Sequence, residues 1–376
     1  MRRGRRHGAH LSYSSQVKPS PVLPVWTFAV PAFAWLLFAG TQFGLGGAFL
    51  LLVAAGLIGS VLAAVHHAEV VAHRVGEPLG TLVLAVAVTV IEVALIVSLM
   101  LGGGPQATAL ARDTVFAAVM IILNGIVGGC LLLGGARHHE QHFGLHGVSA
   151  AFATLAAIVV LTLILPNYTV SNPGPYFNAS QLAFIAVVSL ILYGTFVFAQ
   201  IVRHRDYFLP AATPGDEATH AVAPTPRAAS VSAVLLVASL AVVVLLAKAL
   251  APSIGRGVAA LGAPNALVGV IIAGVVLFPE GLAALRAARA NRLQTSLNLA
   301  LGSALASIGL TIPTVAILSL ATGFPLTLGI DIRSTVLLLL SLFVTSISLS
   351  TGRTTVLQGT VLLVIFATYL FTTIVP

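Results

Sequence analysis

The sequence predicts an all-α polytopic membrane protein, and three observations carry that prediction. Hydrophobic residues make up 58% of the 376 and charged residues 7%, with a mean hydropathy of +1.05, so the chain lacks the polar side chains to cover a water-exposed surface. The apolar residues fall into eleven runs of about the length that crosses a bilayer. The basic residues lie in short clusters between those runs and mostly at one predicted side of the membrane.

Taken in order, the runs occupy residues of about 22 to 40, 43 to 65, 79 to 101, 113 to 135, 148 to 166, 180 to 202, 231 to 250, 265 to 285, 297 to 321, 332 to 350 and 354 to 375. The stretch before them, MRRGRRHGAHLSYSSQVKPS, resembles the n-region of an export signal. The run that follows is as long as a span and has no clear small-residue cleavage pattern, so it is read as an uncleaved first helix. With the N-terminus in the cytoplasm, fourteen arginines and lysines fall on the inner side, among them Arg2, Arg3, Arg5, Arg6, Arg203, Arg205, Arg286, Arg289 and Arg292. Three, Arg112, Arg256 and Arg333, fall outside, with Lys248 near an outer helix end. That asymmetry fixes the expected orientation, N-terminus cytoplasmic and C-terminus outside. The formal net charge of +8 therefore serves membrane orientation, and no nucleic-acid partner is expected. The single cysteine, Cys130, lies in an apolar run and excludes both a disulfide framework and a thiolate zinc site.

Two ionisable residues interrupt the apolar runs. Glu92 sits near the middle of the third, and Glu280 lies within the eighth, 188 residues later, which is half the chain. A carboxylate at the bilayer centre costs roughly 2.5 to 3.5 kcal/mol on insertion scales, so it is rarely placed there without a proton or an ion. Helix parity makes the third and eighth helices run in opposite directions. The expected organisation is therefore residues 1–42 as basic N-terminus and first helix, 43–202 as a first five-helix repeat, 203–230 as a cytoplasmic linker rich in proline, alanine and threonine, and 231–376 as a second repeat of inverted topology.

Carboxylate oxygens are natural ligands of hard cations and of protons, so Glu92 and Glu280 are read as one cation/proton-binding, metal-ligating pair; the alternative is two protonated acids holding helices together. Pro279 predicts a kink or break in the eighth helix beside Glu280, freeing carbonyls. In the ninth helix Ser303, Ser307 and Thr311 recur every four residues and are suited to line a polar path, although Gly302, Ser303 and Ala306 would equally serve close helix packing. Thr89, Asn124 and Asn298 complete the secondary ligand or pathway candidates, while Gly125, Gly128 and Gly129 read as packing residues. Toward the cytoplasm, His67, Glu69, His73 and Glu77 read either as a sensing or metal site or as a polar helix face. A second histidine-rich loop, from Arg137, carries the same two readings. H-E-x-x-H, P-loop, Rossmann and G-x-S-x-G patterns are absent from the sequence.

The spacing of these residues resembles a known family. Gly76, Leu79, Gly80 and Glu92 are similar to the first signature of CAX-type cation/proton exchangers in the calcium/cation antiporter superfamily. After Glu280, Asn291, Arg292, Gly302, Ser303 and Pro313 follow the second. With HAEVVAHRVGEPLG and FPEGLAALRAARANRLQTSLNLALGSALASIGLTIP, the chain looks most like the bacterial ChaA branch over nearly its entire length. The resemblance implies a bacterial inner-membrane antiporter, not an enzyme and without a cofactor, exchanging calcium, sodium or potassium for protons by alternating access, with facing glutamates. Family members carry Gly-Asn-Ala-x-Glu at both sites; here Thr89 and Leu277 stand at the asparagine positions, so two amide oxygens are missing. Two other classes stand beside this reading: an intramembrane metal-dependent hydrolase built on the histidine cluster, and a non-transporting scaffold or ion sensor.

Overall fold

The computed structural model describes residues 23–76, 79–102, 107–208, 224–260, 262, 264 and 266–375. These residues form eleven helices: α1 Trp26–Gln42, α2 Phe49–Val75, α3 Leu79–Gly102, α4 Leu110–His138, α5 Leu145–Tyr168, α6 Ala179–Arg203, α7 Pro226–Ala260, α8 Ala266–Arg289, α9 Leu293–Thr322, α10 Ile332–Leu349 and α11 Val356–Ile374. Among the described residues nine are long and apolar enough to cross a membrane by length and composition alone. The 17-residue α1 and the apolar stretch Val86–Leu101 of α3 are shorter. The expected eleven-helix order is thus present, with shifted limits: α2 continues through the histidines that followed its predicted span, and α7 is 35 residues long.

The connections gather at two ends. At the first, a two-residue strand at Gln141–His142 pairs antiparallel with Arg353–Thr354, joining the α4–α5 and α10–α11 connections. The end of α8 joins them, since the Arg289 carbonyl is bonded to His138 at 3.0 Å and the Ala288 carbonyl accepts from Gln141 Nε2 at 3.0 Å. At the second end, the Thr327 amide donates to the Thr108 carbonyl, Gly329 to that of Pro175, and Arg112 to the Gly329 carbonyl at 3.0 Å. These bonds tie together the α3–α4, α5–α6 and α9–α10 connections. Helix α3 runs toward the second end and α8 toward the first, so the two are antiparallel.

Burial divides the interior into two cores. The larger is formed mainly by α4, α5, α6, α9, α10 and α11; the smaller by α1, α2 and α7. Helices α3 and α8 stand between them and contribute to both. Ile91, Leu95, Leu99 and Ile272 join the smaller core, and Ile96, Met100, Ala273 and Leu277 the larger. Close crossings need small residues. A Cβ on Gly359 of α11 would lie 2.3 Å from the Leu132 amide nitrogen of α4, and one on Gly128 would lie 2.9 Å from Leu362, so the packing role read for Gly128 holds. Gly302 differs: no atom approaches the position its Cβ would take, and its packing role is not supported.

Candidate cation site

Glu92 lies midway along α3, an otherwise largely apolar helix; what faces it decides its chemistry. Its side chain is 2% exposed, and its Oε2 accepts a hydrogen bond of 2.5 Å from the Ser307 hydroxyl of α9. Its Oε1 is buried without a partner. Glu280 of α8 lies near enough to interact electrostatically with Glu92, with Ser303 within side-chain hydrogen-bonding reach, and its Oε2 is also buried without a partner. Among the described residues the ion pairs involve Asp113, Asp331 and Glu140, and no basic side chain neutralises either glutamate. Two acids and two hydroxyls thus come together from three helices, and each acid keeps one buried acceptor oxygen without a partner.

Of the kink or break expected at Pro279, the break does not occur, since α8 is one continuous helix through it; the proline still leaves the Val275 carbonyl without its i+4 donor. Toward the second end the site gives way to an apolar cleft that includes Leu95 and Leu99 of α3 with Ile271 and Val275 of α8. Thr89 is buried one turn before Glu92. Thr311, also buried, has no hydrogen-bond partner for its hydroxyl.

The remaining candidates have partners of their own. Asn124 occupies a wide, π-type turn of α4 at Ile121–Ile126 and donates to Ser341 of α10 at 2.9 Å, while its Oδ1 is buried without a partner. Asn298 does not join the glutamates: its Nδ2 donates to the Phe208 carbonyl at 2.6 Å and its Oδ1 accepts from Gln294 at 3.0 Å. Gln294 in turn accepts from the Gly144 amide at 2.6 Å. The group straps the chain that follows α6 onto the first-end portion of α9. Sequence reading missed this use of Asn298 because Phe208 is 90 positions away.

The histidine cluster also separates. His67 is fully buried among α1, α2 and α7, whereas Glu69 and His73 are exposed; Glu77 lies outside the described residues. Among the described residues no group of three or more histidine, cysteine, aspartate or glutamate side chains could hold a metal ion. In the second histidine-rich loop, His138 and Gln141 bond carbonyls at the end of α8.

The model of the sodium/calcium exchanger protein family matches residues 45–202 and 231–375. The y4hA protein of Sinorhizobium fredii is 51% identical over 96% of this chain and 99% of its own length. The sodium-potassium/proton antiporter ChaA of Escherichia coli is 36% identical over 86% of this chain and 87% of its own. Among solved structures, native YfkE superposes with a TM-score of 0.72 at 17% identity, covering 93% of this chain and all of that one. The H+/Ca2+ exchanger CAX gives 0.68 at 13% identity over 92% of this chain and 87% of that one. The relatives whose names state an activity are ion transporters, exchangers or antiporters, not enzymes, which removes the hydrolase alternative. The match over both halves, together with the 36% identical ChaA relative, identifies this multi-pass membrane protein as a member of the sodium/calcium exchanger family and a cation antiporter.

Proposed function

We propose that this chain exchanges sodium, potassium or calcium for protons across the bacterial plasma membrane, with Glu92 and Glu280 as the shared cation and proton carriers. The observation that carries the reading is the pair of unpartnered, buried carboxyl oxygens, one on each glutamate, with no basic side chain paired to them among the described residues. Two adjacent negative charges in low dielectric repel each other and have lost their water, so the site is stable only when a cation or protons neutralise it. Occupancy by one excludes the other, which makes the exchange obligatory. Ser307 and Ser303 add hydroxyl oxygens suited to a hard cation.

The two-core packing supports alternating access. The α1–α2–α7 group and the larger core each have their own apolar contacts and meet at α3 and α8, so a relative shift changes which side reaches the glutamates. The two halves, 43–202 and 231–376, are read as inverted repeats joined by the 203–230 linker. The arginine asymmetry supports a cytoplasmic first end of the bundle, with the N-terminus on that side and the C-terminus outside.

Sodium and potassium are favoured over calcium. Thr89 and Leu277 leave the site without the amide oxygens that would help strip water from a divalent ion, and the Escherichia coli relative is named a sodium-potassium/proton antiporter. A more distant relative, from Aphanothece halophytica and 24% identical over 70% of this chain, is named a Ca(2+)/H(+) antiporter, which keeps calcium among the substrates. Proton flux in everted vesicles on adding each cation in turn tests the reading. Glu92→Gln and Glu280→Gln proteins that insert normally yet still exchange at the full rate would refute it.

A further inference from the structure

His67 is a completely enclosed ionisable side chain that the exchange site does not use. Its surroundings follow from one proline. Pro31 lies inside α1 and has no N–H, so the carbonyl of Thr27, four residues earlier, loses its helical donor. That carbonyl is bonded to His67 Nε2 of α2 at 3.1 Å. A carbonyl only accepts, so Nε2 carries the proton, and Nδ1 of the neutral ring is left to accept from the Ser232 hydroxyl of α7 at 3.4 Å. Thr27 and Ser232 are themselves fully buried. One neutral imidazole thus joins three helices, and these are the helices of the smaller core.

Among the described residues the ring has no carboxylate partner to receive a charge. Helix α1 has no ionisable residue between Trp26 and Gln42. On α7, Arg227 is exposed, five residues before Ser232, and Lys248 and Arg256 lie far along the helix. On α2, the His66 ring stands edge-on at 5.9 Å with its Nε2 buried and unpartnered, while Glu69, His73 and Arg74 are exposed. Arg286 of α8 lies within electrostatic range of Glu69, and Glu92 of α3 is engaged by Ser307. A second proton on His67 would place a cation beside another histidine, in an enclosed space where the described neighbours of the ring are a hydroxyl, a carbonyl and the Phe28 ring.

We propose that His67 is a positioning residue and a proton switch: neutral, it fastens α1 to α2 and α7 so that the three move as one body; protonated from the cytoplasmic side, it withdraws from this junction and exchange slows. This rests on the cation/proton antiport reading and on α2 ending at the cytoplasm. The logic suits an antiporter that admits protons, since the switch closes it when the cytoplasm is already acid.

The test uses everted vesicles, whose bath contacts the cytoplasmic face, with sodium as the probe cation held saturating at each pH, so that proton competition at the glutamates drops out, and initial rate followed against bath pH. Wild type is expected to lose rate on the acid side, by up to ~10-fold per pH unit once His67 titrates. His67→Gln keeps an amide N–H for the Thr27 carbonyl but cannot titrate, and is expected to retain its rate where wild type falls. His67→Ala strands the carbonyl and is expected to be slow at every pH. Pro31→Ala restores the helical N–H to that carbonyl, so the double variant recovers activity without the acid-side loss. An unchanged acid limb in His67→Gln, or no recovery in the double variant, overturns the proposal. Absence of any sodium-driven proton flux in wild type would instead refute the antiport reading itself.

Discussion

The Ser307 hydroxyl of α9 donates to Glu92 Oε2 of α3 at 2.5 Å, across 215 positions of sequence. A hydrogen bond to a charged acceptor contributes about 1.5 to 3 kcal/mol, and this one stabilises the carboxylate form that binds a cation. Ser307→Ala is expected to weaken the apparent affinity for sodium by roughly 10-fold or more on that energy scale, while Ser307→Thr retains most of it. Half-saturation in reconstituted vesicles measures the difference. Equal half-saturation for Ser307→Ala and wild type would show that the bond does not act on the cation-bound state.

Selectivity is expected to follow the missing amides. Thr89→Asn with Leu277→Asn supplies two carbonyl oxygens beside the glutamates and is expected to shift preference from sodium toward calcium. Competition of calcium against sodium-driven proton flux reports the shift. An unchanged ratio would mean that amide oxygens at these positions do not reach the ion.

Asn298 distinguishes a strap from a ligand. Because its amide is committed to Phe208 and Gln294, Asn298→Ala is expected to lower stability by about 1 to 3 kcal/mol, from the unpaired carbonyl, and to leave half-saturation for sodium unchanged. Thermal unfolding in detergent and cation titration of the same preparation separate the two effects. A large rise in half-saturation without loss of stability would return Asn298 to the ion pathway.

The α4–α11 crossing is a test of packing alone. Gly359→Ala forces a Cβ against the Leu132 amide and the Gly128 carbonyl, an overpacking expected to cost about 1 to 3 kcal/mol. Gly194→Ala of α6, where no atom approaches within 4 Å, is expected to leave the melting temperature unchanged. Similar melting temperatures for the two variants would contradict the close approach of α4 and α11.

The sequence by itself determined the eleven-helix order and the opposed directions of α3 and α8, because span length and parity are properties of the chain read along its own axis. Glu92 and Glu280 were legible for a related reason: a carboxylate in an apolar run is anomalous in one dimension. Tertiary structure alone decided what each polar side chain meets. Ser307 and Asn298 look alike as polar residues of one helix, yet one turns to Glu92 and the other to Phe208, since about 100° of rotation per residue separates their faces. His67 and His73 likewise share a helix and a motif, and only the packing of α1 and α7 against α2 buries the first and leaves the second exposed. Periodicity names the face a residue occupies; contact between helices distant in sequence names its partner, and the partner fixes its chemistry.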